Sequence, residues 1–368
     1  MIERRAYLAR LEVAIQRSPI VAILGSRQCG KTTLARVFCK GKQATFFDLE
    51  SIPDVRRLQN PELVLGILDG LIVLDEIQKM PELFNVLRVL VDRPDNRARF
   101  MILGSASPEL IKNASETLAG RVEFIELSGF DLFEIGEANV NEHWLKGGYP
   151  PSYLAPSLED SLAWREGFIR TFLERDIPQL GFSIPSVAMR RFWTMLAHYH
   201  GQTWNASELA RSMGVSDKTV RSYLDILTGT YMIRQLQPWF ENIGKRQVKA
   251  PKIYFRDSGL FHSLLGITDY HNLLGHPKVG ASWEGYVLEQ IFSVVRPAST
   301  FYWATYNGAE IDLLFPSGGK KVGVEIKFNE APQITNSMRI ALDNLNLDHI
   351  WVIYPGEHRY PVHQKITV

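Results

Sequence analysis

Three short runs in this sequence carry residue types whose spacing could do chemistry. The first, GSRQCGKT from Gly25 to Thr32, follows the apolar, β-branched run IVAIL, so a buried parallel strand should open into a loop and then a helix. Gly25 and Gly30 free the backbone of Ser26, Arg27, Gln28 and Cys29 to wrap a phosphate chain at a helix N-terminus. Lys31 would reach the β- and γ-phosphates, Thr32 would ligand Mg²⁺, and Thr33 belongs to the same nucleotide-binding set. The expectation is an ATP site with Mg²⁺, set against a purely structural glycine-rich turn. The second run, LIVLDE from Leu71 to Glu76, reads as a central strand with two acids at its carboxyl end. Asp75 would hold Mg²⁺, usually through water, and Glu76 would orient and deprotonate the attacking water. The competing reading is an acidic pair at a helix start. The third, GAEIDLLFPSGGKKVGVEIK from Gly308 to Lys327, reads as two antiparallel strands around a glycine turn. Alternation puts Glu310 and Asp312 on one face and Ile311 and Leu313 on the other, then Glu325 and Lys327 together on the return strand. Asp312 and Glu325 would share a divalent ion, with Lys327 beside them and Glu284, on the preceding amphipathic helix, as the fourth member.

Behind these runs stand the elements that must position them. ATFFDLE at Ala44 to Glu50 and RFMILGS at Arg99 to Ser105 supply further strands, and VEFIEL after Arg121 supplies another, which makes the class α/β with a parallel sheet. Ser105 would touch the γ-phosphate or the lytic water, or would cap the next helix. Arg121 would face a neighbouring subunit's nucleotide in trans, or would be an ordinary surface arginine. At 368 residues, and with about 150 residues per domain, roughly two to three domains are expected. A net charge of +1 gives no global pull on nucleic acid, so any such binding must come from local clusters. Cys29 and Cys39 have no metal-site spacing. The charged opening residues and the absence of a long apolar stretch predict a cytoplasmic protein without a membrane span.

From about Asp131 to Gln202 the pattern is helical, broken at Gly147–Gly148 and Tyr149–Pro150. Within it, Arg175 in FLERDI would meet nucleotide or a neighbouring subunit, or would form a helix-surface ion pair. SELARSMGVSDKTVRSYLDIL, Ser207 to Leu227, reads as a helix, a turn at Gly214 and a second helix capped by Ser216 and pinned by Val220, Leu224 and Leu227. That leaves Asp217, Lys218, Arg221 and Ser222 outside. Such a module reads DNA in some proteins and contacts only protein in others. Behind it, Lys245, Arg246, Lys249, Lys252 and Arg256 read as a basic wing touching phosphates, or as a solvated hairpin edge.

Taken together, SRQCGKTTL, LDEIQKMPEL, ILGSASPEL and SETLAGRVEFIEL, followed by GGYP, FLERDI, PKIYFRDSGL and GAEIDLL, resemble the bacterial and archaeal family of AAA-type ATPases that carry the C-terminal domain of unknown function 4143. The family usually has a hydrophobic or small residue where Cys29 stands. The resemblance implies a P-loop ATPase core over residues 1–130, a helical lid over 131–202, a winged helix-turn-helix over 203–262, and a restriction-endonuclease-like domain of PD-(D/E)xK pattern over 263–368. It also implies a homo-oligomer, with the hexamer among its forms. Two functions are then expected as alternatives. One is an ATP-driven enzyme that engages branched or duplex DNA and cleaves or remodels it. The other is an ATP-dependent regulatory switch whose nuclease-like domain is a non-catalytic interaction module.

Overall fold

Every residue of β1 (Ile20–Gly25) is buried, which the uninterrupted apolar run IVAIL permits only inside a sheet covered on both faces. The computed structural model describes residues 2–105, 114–241 and 247–368. It divides into two units, the first comprising Met1–Phe130 and Gly229–Tyr231, the second Asp131–Thr228 and Met232–Val368.

In the first unit, β1 joins β2 (Ala44–Asp48), β3 (Gly70–Asp75), β4 (Ala98–Ser105) and β5 (Val122–Glu126) in a five-stranded sheet of order β2-β3-β4-β1-β5. All its pairings are parallel. One side of its core gathers Ile20, Ala22, Leu24, Phe47, Ile72, Leu74, Phe100 and Ile102 against Leu83, Phe84 and Leu87 of the helix Leu83–Val91. Parallel strands aim their carboxyl ends in one direction, so Gly25, Asp75 and Ser105 come to the same edge. Gly25 and Ser105 are register partners.

The second unit opens with helices, the longest being Leu158–Thr171 and Ser186–His198. The FLERDI segment continues the first of these as a π-helical turn, Phe172–Asp176, with Arg175 exposed. Helices Ala206–Met213 and Asp217–Gly229 follow, with a small antiparallel sheet of order β6-β8-β7 made from β6 (Gln202–Thr203), β7 (Ile233–Leu236) and β8 (Lys252–Phe255). The helix Val279–Val294 then leads into a six-stranded sheet. Its strands are β9 (Phe301–Ala304), β10 (Glu310–Ser317), β11 (Lys320–Ile326), β12 (His349–Ile353), β13 (Pro361–His363) and β14 (Ile366–Thr367), in the order β13-β14-β12-β11-β10-β9. Among the described residues no helix is long and apolar enough to cross a membrane.

The alternation expected of GAEIDLLF is interrupted. The pairing of β10 with β9 shifts register between Ile311 and Leu314. Ile311 and Leu314 therefore pack with Trp303, Met338 and Ile350, whereas Leu313 and Phe315 pack with Trp283, Val324 and Ile326. Ile311 and Leu313, expected on one apolar face, lie in different core clusters, because the extra residue of a bulge reverses the alternation after it. The turn from β10 to β11 consists of Gly318 and Gly319, with φ of 57° and 78°. Both torsions match a type I′ hairpin, and a Cβ at either position would meet nothing within 4 Å. A substitution there is opposed by backbone conformation alone. Gly319→Val is expected to lower the unfolding free energy by about 1–2 kcal/mol, and Gly318→Asn to be tolerated, as read by urea denaturation.

Candidate functional site

The loop after β1 is shaped by its own packing before any ligand is considered. Leu127 N donates to Leu24 O at 2.7 Å, which draws the chain after β5 against the loop. A Cβ at Gly25 would lie 2.3 Å from the Leu127 carbonyl oxygen and 2.8 Å from Cys29 Sγ. Gly30, at φ 99°, stands at the start of the helix Lys31–Cys39, and Gln28 also takes a left-handed φ of 62°. The Lys31 ammonium is buried and donates to Gly25 O at 3.1 Å and Ser26 O at 2.9 Å, so it spans the mouth of its own loop. Thr32 Oγ1 donates to Asp75 Oδ2 at 2.7 Å, and Asp75 Oδ1 accepts from Glu76 N at 3.0 Å. Hydroxyl and carboxylate are thus side by side at the end of β3, the donor set that suits the magnesium of a bound nucleotide. Glu76 has a left-handed φ of 56°, uncommon for a residue with a side chain. Burial holds its carboxyl above the usual range, partly offset by the Gln78 amide, which donates to Glu76 Oε2, and by the Lys31 charge. Thr33 is exposed, Arg27 and Ser105 are half-buried, and Cys29 is buried.

Arg4, which sequence reasoning did not single out, supports this loop from behind. It donates to Ser128 O at 2.9 Å, Gly129 O at 2.8 Å and, at 3.4 Å, Cys29 O within the loop, while its guanidinium lies 4.6 Å from the Tyr7 ring centroid. Nothing in MIERRAYL separates Arg4 from Arg5, which is exposed. Arg121 stands elsewhere. Its carbonyl accepts from Ile20 N, at the amino end of β1, and its guanidinium makes a two-point pair with Asp92 at 2.7 and 2.8 Å. It therefore lies at the sheet edge opposite the loop of its own unit.

In the second unit, Glu284, Glu310, Asp312, Glu325 and Lys327 come together, joined by two residues from β8. Lys252 is 4% exposed and sets its ammonium 3.3 Å from Glu284 Oε1 and 3.8 Å from Asp312 Oδ1, and it donates to Glu310 Oε1. The Tyr254 hydroxyl donates to Glu284 Oε1. Asp312 Oδ2 accepts from Ile326 N at 2.8 Å, and Lys327 Nζ lies 2.7 Å from Glu325 Oε1. Burial, then Glu284 and Glu325, push the Asp312 carboxyl well above its ordinary range, and burial also raises Glu325. For Lys252, burial acts to lower the pKa, but Glu284, Tyr254, Asp312 and Glu310 together outweigh it and hold the ammonium charged. Among the described residues no group of three or more His, Cys, Asp or Glu side chains stands ready to hold a metal ion. The donor set in this conformation does not fit a divalent ion, because an ammonium already sits among the carboxylates.

Two members of the expected basic wing are thereby corrected. Lys252 belongs to this buried cluster, and Arg256, with Arg234, pairs with Glu289 on the helix Val279–Val294. Counting charges along a strand could not show that Lys252 and Tyr254 both end on Glu284, or that Arg256, just beyond the strand, pairs with Glu289. Lys245 and Arg246 lie outside the described residues. Lys249, Lys218 and Arg221 are exposed, the latter two on the helix Asp217–Gly229, whose third residue, Thr219, donates its N–H to Ser216 Oγ at 3.2 Å. The segment after β7 is paired along β9: Tyr302 N donates to Gln237 O, Trp239 N to Tyr302 O and Val248 N to Ala304 O.

Residues 17–136 match the family described as AAA domain, residues 137–271 a domain of unknown function (DUF8612), and residues 279–368 a domain of unknown function (DUF4143). Two curated proteins, uncharacterized protein Mb2031c of Mycobacterium bovis and uncharacterized protein Rv2008c of Mycobacterium tuberculosis, are each 54% identical to this chain over 367 residues, covering 100% of it and 83% of their own length. Among solved structures, the Walker-type ATPase PABY2304 of Pyrococcus abyssi aligns with a TM-score of 0.51 over 72% of this chain and 96% of its own. At 15% identity that likeness is one of fold.

The close approach of Leu127 makes Gly25 a requirement of the empty loop as well as of any phosphate. Gly25→Ala is expected to destabilise the nucleotide-free protein by about 1–3 kcal/mol, measured by urea denaturation of the first unit's transition. Unchanged stability would assign the glycine to ligand binding alone.

Proposed function

The chain belongs to the family of AAA-type ATPases with a C-terminal DUF4143 domain, and on that footing we propose that it binds and hydrolyses ATP at the loop Gly25–Thr32 and uses the cycle to govern a DNA-engaging second unit. The observation that carries the first half is the convergence of Lys31, Thr32, Asp75 and Glu76 at the carboxyl edge of the parallel sheet. Lys31, released from the loop carbonyls by a competing phosphate, binds the β- and γ-oxygens. Thr32 and Asp75 are the residues that would hold Mg²⁺, which would supply charge to offset the phosphates of a bound nucleotide. Glu76, its carboxyl raised by burial, orients the lytic water and takes its proton, and Ser105, the register partner of Gly25, is the candidate to touch the γ-phosphate. Arg4 keeps the loop in shape. An arginine acting in trans, for which Arg121 and the exposed Arg175 are candidates, would require a homo-oligomer.

For the second half, the succession of helices Ser186–His198, Ala206–Met213 and Asp217–Gly229 with the antiparallel sheet β6-β8-β7 supports a winged helix-turn-helix reading. Arg221 and Lys218 are the residues offered to DNA, with Lys249 as a phosphate contact. The tail supports the regulatory alternative better than the cutting one. Its carboxylates are already neutralised in part by Lys252, and Gln237, Trp239 and Val248 are hydrogen-bonded along β9. The reading is therefore an ATP-dependent switch that engages DNA, with a nuclease-like domain closed in this conformation.

Lys31→Ala is expected to weaken ATP binding by about 10- to 100-fold, whereas Glu76→Gln keeps ATP binding and lowers kcat by about 10²- to 10⁴-fold. Binding is read by titration of a fluorescent ATP analogue and turnover by phosphate release, with and without duplex DNA. Equal loss of affinity in both variants would remove Glu76 from the role of base. Turnover indifferent to DNA would leave a switch that acts on another partner.

A further inference from the structure

The carboxylate cluster is closed by a residue that belongs to another part of the unit. Lys252 arrives on β8, two strand positions from Tyr254, and both side chains end on Glu284 Oε1. The same ammonium binds Glu310 and faces Asp312 Oδ1 at 3.8 Å. We infer that Lys252 is the resident cation of this site, holding the place among Glu284, Glu310 and Asp312 that a divalent ion would need, so that the site takes up metal only when that ammonium is withdrawn.

Three observations carry this. The first is occupancy: a magnesium or manganese ion needs oxygens converging at about 2.0–2.2 Å, and the space between these carboxylates is filled by an ammonium that is 4% exposed. The second is how firmly β8 is delivered. Arg256 Nε lies 3.6 Å from Glu289 Oε2, Arg234 pairs with the same carboxylate, and Phe255 N donates to buried His200 Nδ1 at 3.0 Å. Lys252 is therefore delivered on a strand anchored to Glu289 of the helix Val279–Val294 and to buried His200, rather than swinging in from solvent. The third is what the site keeps in reserve. Glu325 is 4% exposed, and its Oε2 has no hydrogen-bond partner among the described residues although Lys327 holds its Oε1. On the outer side, the Glu310 and Lys327 side chains are 39% and 36% exposed, so the cluster is reached from solvent. Removing one ammonium from four carboxylates would leave a strongly acidic, accessible pocket with an oxygen already bare, which is the donor set of a hard divalent cation.

The consequence is regulatory. A movement that draws β8 away from the helix Val279–Val294 would free the carboxylates, and the sheet to which β8 belongs accompanies the helix pair proposed to meet DNA. The inference rests on the second unit alone, so it stands or falls apart from the ATPase reading. The test is calorimetric titration of the nucleotide-free full chain with Mn²⁺, using wild type, Asp312→Asn, Lys252→Met and Lys252→Met with Asp312→Asn, alongside thermal unfolding with and without the ion. The expected result is no Asp312-dependent uptake by wild type, and a single Mn²⁺ equivalent in Lys252→Met that raises its melting temperature and disappears in the double variant. Ion uptake by wild type that Asp312→Asn abolishes overturns the inference, and so does a folded Lys252→Met that takes up none. If Lys252→Met fails to fold, the wild-type titration alone decides: Asp312-dependent uptake overturns, and its absence supports.

Discussion

A buried ammonium among carboxylates is costly to assemble and more costly to break, because each ion has given up its water. Lys252 is such a group, and much of the second unit is arranged around it. It ties β8 to the helix Val279–Val294 through Glu284 and to β10 through Glu310 and Asp312. Arg234 of β7 and Arg256, just after β8, pair with Glu289, five residues further along the same helix. Four carboxylates, Glu284, Glu310, Asp312 and Glu325, face the two ammonium groups of Lys252 and Lys327. This excess of negative charge, added to burial, is why the Asp312 carboxyl sits well above its ordinary range.

The phosphate loop of the first unit follows a similar logic at smaller cost. Its lysine is satisfied by the carbonyls of Gly25 and Ser26, its threonine by Asp75, and its backbone by Arg4 and the chain after β5. The lysine and threonine side chains that a nucleotide would claim already have protein partners, so for them binding exchanges hydrogen bonds rather than creating them. The left-handed Gln28, Gly30 and Glu76 mark where the backbone is held in unusual conformations around that exchange.

Much of this was legible in the residues. IVAIL and the LIVL of LIVLDE are unbroken apolar runs that read as interior strands, and glycine-bounded GSRQCGKT reads as a tight loop before a helix. The parallel sheet then brings Gly25, Asp75 and Ser105 to one edge. Less of the carboxylate site was legible. Asp312, Glu325, Lys327 and Glu284 announce themselves by spacing, but Lys252 and Arg256 read as part of a basic run, since their acidic partners lie more than thirty positions away in sequence. A bulge in β10 carries no local mark, so strict alternation misplaced Ile311 relative to Leu313. Arg4 is hidden among neighbouring charges for the same reason: its partners are backbone carbonyls, which any residue supplies.

The central claim is that Lys252 and the carboxylates form one coupled unit that holds the second unit's site closed. A double-mutant cycle on Lys252→Met and Glu284→Gln, followed by chemical denaturation without metal or nucleotide, tests it most directly. The account predicts that Lys252→Met alone lowers stability by about 3–5 kcal/mol, by leaving buried carboxylates uncompensated. It also predicts that adding Glu284→Gln restores part of that loss, with a coupling energy above about 1 kcal/mol. Effects that add to within about 0.5 kcal/mol would show that the ammonium and Glu284 act independently, and would contradict the account.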